Sequence, residues 1–113
     1  MNLENMKAQM RKGVLELCIL SILSGEEAYP SDIIEKLKEN ELIVVEGTLY
    51  PLLTRLKNAE LLSYSWRESP SGPPRKYFQI TDQGKSSLHD LMKAWDVLVQ
   101  SVHNTTHQMS SSK

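Results

Sequence analysis

The spacing of apolar residues shifts from helical to alternating and back along this 113-residue chain, and the first of those shifts limits the folds open to it. In the stretch EGTLYPLLTRLKNAELL, residues 46–62, Leu49, Leu52, Leu53 and Leu56 fall at i, i+3, i+4 and i+7, a single buried stripe of a helix. After Asn58 the period becomes 2: Leu62, Tyr64 and Trp66 alternate with Ser63, Ser65 and Arg67, as in a half-buried strand. The segment SPSGPP, residues 69–74, holds three prolines and a glycine and is expected to be irregular. Residues 75–80 alternate again, with Lys76, Phe78 and Ile80 on one side and Arg75, Tyr77 and Gln79 on the other. The pattern predicts a helix followed at once by a two-stranded hairpin with a stiff, extended tip.

Upstream, Met6, Met10, Val14, Leu17, Cys18 and Ile22 recur at helical spacing, widened by Leu15, Ile19 and Leu23. Residues 6–24 therefore read as one helix, with Gly25 as its stop. A second helix is expected from Pro30, with Asp32 at the positive end of its dipole and Ile33, Ile34 and Leu37 buried, ending near Asn40. Residues 42–45 (LIVV) are a brief strand or a buried connector. Pro51 has no N–H to donate and fits only the first turn of a helix, which places the start of the third helix at about Glu46 to Thr48.

Thr81 is a good N-cap, with Asp82 in the turn that follows, and opens a long helix to about residue 103. Leu88, Trp95 and Val102 are spaced by seven, with Leu91, Met92, Leu98 and Val99 on the same side. A stripe that long outlasts the core of one small domain, and a partner helix is its natural cover. The resulting division is a domain of residues 1–80, a helix of residues 81–104 and a polar tail of residues 105–113 expected to be disordered.

Composition removes several classes. No run approaches the roughly eighteen apolar residues of a membrane span. A single cysteine, Cys18, rules out an intrachain disulfide framework and suits a reducing cytoplasm. Enzymatic motifs are missing: there is no phosphate-cradling glycine loop, no paired carboxylates and no nucleophile beside a base. His103 and His107 lie four apart, but neither a cysteine pair nor a carboxylate cluster completes a structural metal site, so no metal or cofactor is expected. Thirteen basic against fourteen acidic side chains give a net charge of −1, which counts mildly against nucleic acid as a partner. Any positive surface must therefore be local.

Three helices, a two-stranded wing and a long helix make a mainly α winged helix-turn-helix with a small β-hairpin and a long C-terminal dimerisation helix. At RKGVLELCILSIL (11–23), EGTLYPLLTRL (46–56) and SGPPRKYFQITDQG (71–84) the sequence resembles the PadR family of bacterial transcriptional regulators. The resemblance implies a homodimer, in most members a repressor, joined through the C-terminal helix with help from the first. It also implies double-stranded DNA as the partner. Two stretches depart from the family pattern. EEAYPSDI stands where a glycine-containing turn is usual, and Glu60 stands where a glycine commonly ends the recognition helix.

By the same resemblance, Thr48, Tyr50, Pro51 and Arg55 face DNA from the third helix. A tyrosine hydroxyl there can reach a phosphate, and an arginine a phosphate or a guanine edge. Arg75 and Lys76 follow the hairpin tip, where alternation sends them to opposite faces, one toward DNA and the other beside the sheet. Lys7, Arg11 and Lys12 form a small basic cluster that is either a phosphate contact or a solvated face. Leu88, Leu91, Met92, Trp95, Leu98, Val99 and Val102 form the dimer surface, and in some multidrug-sensing relatives a tryptophan at the position of Trp95 flanks a flat apolar effector. Here Trp95 is either such a ligand contact or a packed anchor of the dimer. The alternative to the DNA reading is a winged helix that meets other proteins and binds no DNA.

Overall fold

Gly13 divides what the sequence presents as one first helix. The computed structural model describes residues 2–111, and in it α1 (Leu3–Lys12) ends at Gly13 before α2 (Leu15–Gly25) begins. The Asn2 side chain caps α1 by accepting from the Glu4 and Asn5 amides. The break turns α1 away from the core. Met6 and Met10, expected on the buried stripe, are exposed, and the apolar face of α2 is carried by Leu15, Ile19, Leu20 and Leu23.

Next come α3 (Pro30–Glu39) and α4 (Glu46–Asn58), joined by residues 42–45 as a connector rather than a strand. Ile33 and Leu37 of α3 pack with Leu49, Leu53 and Leu56 of α4, and Val44 of the connector joins them in the core. Fully burying one such aliphatic side chain contributes about 1.5–3 kcal/mol, so this shared cluster fixes how α4 sits against α3. The hairpin closes the domain. β1 (Leu62–Ser69) and β2 (Gly72–Ile80) run antiparallel, pairing Leu62 with Ile80, Tyr64 with Phe78 and Trp66 with Lys76.

Strand structure reaches further into the tip than the composition of SPSGPP suggests, because both strands of a two-stranded ribbon are edges and tolerate proline. An irregularity between Arg67 and Ser69 absorbs the change of register. A second tie joins the α2–α3 loop to the wing: Ala28 and Phe78 exchange backbone hydrogen bonds of 3.0 and 2.8 Å. That bridge explains why EEAYPSDI needs no glycine. Ala28 lies extended against β2 and Tyr29 has φ −79°, both open to any residue.

Glu60 does occupy the left-handed region, at φ 65°, and Glu41 does the same at φ 63°. Both sit just past a helix and close the same kind of cap. The Leu61 amide reaches the Leu56 carbonyl at 2.9 Å, and the Leu42 amide reaches that of Leu37 at 2.8 Å. Each leucine then turns inward beside the core.

The last helix, α5 (Asp82–Ser111), begins as predicted at Thr81, whose hydroxyl accepts from the Gly84 amide at 2.9 Å and donates to the Glu60 carbonyl at 2.7 Å. It runs past the expected end near residue 104. Thr105 and Thr106 donate their hydroxyls to carbonyls one turn back, so these polar residues are accommodated within the helix. Residues 112–113 of the expected tail lie outside the described residues. A helix of 30 residues spans about 45 Å. Its first turns, through Leu88, pack against the core, and from Leu91 to Val102 its apolar residues are exposed.

Candidate nucleic-acid interface

The N-terminal half of α4 stands clear of the core on one side. Leu49 is fully buried beneath it, while Thr48, Tyr50, Pro51 and Thr54 are exposed. Because the helix already begins at Glu46, Pro51 is its sixth residue and lies in the second turn, not the first. It cannot donate to the Gly47 carbonyl, an interior position where proline is normally expensive. That carbonyl belongs to the outward start of the helix, where water or another donor can reach it.

Beside this face runs a groove of about 390 Å³ bordered by Pro30, Ser31, Glu46, Tyr50, Trp66, Arg75 and Lys76. It brings together the starts of α3 and α4 and the outer part of the hairpin. Lys76 lies on the Phe78 side of the sheet with its ammonium 4.6 Å from the Tyr64 ring and 5.7 Å from that of Trp66. Arg75 takes the other side, stacks its guanidinium 4.3 Å from the Tyr29 ring and donates to the Ser31 hydroxyl at 2.7 Å. The two cations leave the strand on opposite faces, as alternation requires, yet both border the groove. Neither is paired with a carboxylate among the described residues.

The same side of the sheet carries a cation–aromatic column. Arg67 lies 3.7 Å over the Tyr77 ring, Tyr77 meets Tyr29 edge-on at 4.8 Å, and Arg75 covers Tyr29. Arg67 is further held by Glu27 at 3.5 Å. Each such contact is worth about 0.5–1 kcal/mol at an exposed site, and together they orient the hairpin against the start of α3.

Arg55, expected to face DNA, is engaged within the chain. Its Nε donates to Glu16 Oε2 at 2.9 Å and its Nη2 to Oε1, a two-pronged clasp between α4 and α2. Glu16 also holds the guanidinium protonated more firmly than usual, first through the hydrogen bond and then through its charge. In this geometry the charge of Arg55 is answered within the chain. Lys7 is partnered by Glu4 at 3.5 Å on α1, whereas Arg11 and Lys12 border a shallow groove that they share with Ile43, Val45 and Thr48. The end of α1 thus extends the Thr48 edge of α4.

The apolar residues of α5 assemble a second surface. Met10, Val14, Trp95, Leu98, Val99 and Val102 border an open groove of about 630 Å³ between α1 and α5. Leu91 and Met92 are exposed nearby on the same helix, and Leu88 packs toward the core instead. Cys18 is half-buried, and burial pushes its thiol up, as expected of a packing residue.

Sequence reasoning missed Ser31, Glu46 and Trp66 as groove residues. Trp66 could have been found through its partner, because pairing Tyr64 with Phe78 necessarily sets Trp66 across from Lys76. Ser31 and Glu46 carry no such signal, since only the packing of α3 against α4 brings them to the wing.

Three helices in which the third exposes its N-terminal half, followed by a hairpin that flanks it, define a winged helix-turn-helix protein. Residues 19–90 match the model of the transcriptional regulator PadR-like family. The chain is 60% identical to a PadR-like transcription factor from Bacteroides fragilis, covering 89% of this chain and 98% of that one with a TM-score of 0.75. A PadR family regulator from Eggerthella lenta is 31% identical over 98% of this chain and 94% of that one, with a TM-score of 0.85. A PadR-like regulator from Bacillus cereus is 40% identical over 87% of this chain and 96% of that one, with a TM-score of 0.75. The chain belongs to the PadR-like family, whose members are DNA-binding transcriptional regulators and not enzymes. No helix among the described residues is long and apolar enough to cross a membrane.

Proposed function

We propose that the protein is a cytoplasmic, homodimeric repressor that reads a pseudo-palindromic operator with the N-terminal half of α4 and steadies itself with the wing. The observation that carries this is the groove between α4 and the hairpin, where Tyr50, Arg75 and Lys76 converge beside an exposed helix start. A chain with a net charge of −1 gains its positive surface by this convergence. Thr48, Tyr50 and Pro51 meet the major groove, while Arg75, Lys76 and Arg11 lie along phosphates. Lys7 adds to the field at the α1 edge. Arg55 acts one step back, holding α4 against α2 through Glu16, so that the reading helix is presented at a fixed angle.

The dimer forms through α5, whose exposed Leu91, Met92, Trp95, Leu98, Val99 and Val102 are too extensive an apolar face to leave in water, with help from α1. Two recognition helices carried on such a dimer fit half-sites one helical turn or a multiple apart. The groove beside Trp95 is apolar enough to admit a flat apolar effector. Occupancy there would alter the angle between the long helices and hence the half-site spacing.

Fluorescence anisotropy against the DNA upstream of the protein's own gene, beside a scrambled duplex and at two salt concentrations, tests the reading. Sequence-preferring binding that weakens steeply with salt is expected. Equal affinity for both duplexes at both salts would favour a winged helix that meets proteins instead. Light scattering at micromolar concentration is expected to give twice the protomer mass, and Val99→Asp to give the monomer.

A further inference from the structure

Glu46 is the first residue of α4 and borders the groove with Tyr50, Trp66, Arg75 and Lys76. Its carboxylate takes no hydrogen bond and no ion pair among the described residues, although two cations border the same groove. Arg75 is turned back onto Ser31 and the Tyr29 ring, and Lys76 lies against Tyr64 and Trp66. The protein thus offers a carboxylate with no side-chain partner among the described residues at the leading edge of the helix that approaches a polyanion. The carboxylate's one local role is to sit in the first turn at the positive end of α4, which any acidic or capping residue could fill, and the core beneath is closed without it by Val44 and Leu49.

A carboxylate in that place lowers affinity for every sequence unless a donor on the DNA answers it. The major groove supplies two kinds of amino donor, adenine N6 and cytosine N4. The adenine amino group sits between the acceptors N7 and thymine O4, which repel a carboxylate. The cytosine amino group lies at the outer end of the C·G pattern with an acceptor on one side only, and it is the recognised partner of Glu and Asp. We infer that Glu46 is a specificity-determining residue that accepts a hydrogen bond from the N4 amino group of one cytosine in each half-site. It suppresses binding to sequences lacking that cytosine. This rests on the reading of α4 as the helix that meets DNA, and it adds a base identity to it.

The test takes the duplex that the intact wild-type protein selects from a random pool. Each selected position is then varied, and affinities are measured by anisotropy for the wild type and Glu46→Gln. The expected result is one C·G pair per half-site whose replacement by T·A weakens the wild type about 5- to 150-fold, the usual range for one mismatched base pair in a site. Glu46→Gln removes that preference and moves it toward A·T, because glutamine pairs with adenine N6 and N7. It also binds the scrambled duplex more tightly than the wild type does. The substitution is nearly isosteric at an exposed position, and circular dichroism confirms its fold. A wild type that selects a sequence by position, with Glu46→Gln showing the same preference at every position, overturns this inference and leaves the regulator reading intact. A wild type that selects nothing overturns both.

Discussion

Gly84 offers a substitution in which two well-characterised effects oppose each other and the structure says which wins. It is the third residue of α5, and replacing a helical glycine by alanine in open space gains about 1 kcal/mol. A Cβ at Gly84 would meet the Leu61 carbonyl oxygen at 2.1 Å and Ile80 Cγ1 at 2.6 Å. The first contact is backbone, held in the cap that ends α4, so it cannot swing aside. Relieving it means moving the start of α5 by more than 1 Å from the Glu60–Leu61 turn, roughly the gap between 2.1 Å and an ordinary contact.

That shift takes with it the 3.1 Å bond from the Thr81 amide to the Leu61 carbonyl and the 2.7 Å bond from the Thr81 hydroxyl to the Glu60 carbonyl. Overpacking costs about 1–3 kcal/mol, and two lost hydrogen bonds about 0.5–1.5 kcal/mol each. Against a gain of about 1 kcal/mol, Gly84→Ala should lose roughly 1–5 kcal/mol. Gly47 in α4 is the control, because a Cβ there meets nothing within 4 Å. Gly47→Ala should gain up to about 1 kcal/mol. Urea unfolding of the three proteins at one protomer concentration reads both differences, with a loss of about 3 kcal/mol moving the midpoint by about 1–3 M. A Gly84→Ala protein as stable as the wild type would refute the packing described for the start of α5.

Other consequences follow from single residues. Glu60→Gly should raise stability by about 0.5–1 kcal/mol, since it relieves a left-handed conformation and gives back part of the gain as chain entropy; Glu41→Gly should act alike, and midpoints below wild type for both would argue against the two caps. Burial holds the Cys18 thiol up, so the unfolded chain ionises it first as pH rises past about 8.5, and stability present below that pH is lost above it. Unfolding midpoints at pH 7 and pH 9.5 should therefore fall further for the wild type than for Cys18→Ala, and identical falls would show the thiol to be solvated.

Much of this architecture was legible because its periodicities are unmixed. The leucines of α4, the alternation of both strands and Thr81 as a cap each point to one local structure, and the hairpin register follows from matching Tyr64 with Phe78. The break at Gly13 was hidden because Met6, Met10 and Val14 continue a helical period straight across it. The length of α5 was underestimated because serines and threonines read as a tail, whereas their hydroxyls bond back to carbonyls of the same helix.

At the candidate site, residue types were readable but pairings were not. Nothing local says that Arg55 faces a glutamate 39 positions away, or that Arg75 reaches Ser31 across 44 residues. Both depend on how α2 and α3 pack under α4 and the wing. Pro51 is a subtler case. The helix starts at Glu46, within the range expected from the proline's missing N–H, yet a start there already puts Pro51 in the second turn, so the first-turn placement and the predicted start could not both hold.

The most direct test of the DNA-facing surface is the salt dependence of binding for four proteins on one duplex: wild type, Arg75→Ala, Lys76→Ala and Arg55→Ala. A cation that neutralises a phosphate contributes about 0.9 to the slope of log affinity against log salt. The wing substitutions should each flatten the slope by about that amount, while Arg55→Ala, whose charge is answered by Glu16, should leave it unchanged. Wild-type slopes for Arg75→Ala and Lys76→Ala, with a flattened slope for Arg55→Ala alone, would contradict the account and move the DNA to another face of α4.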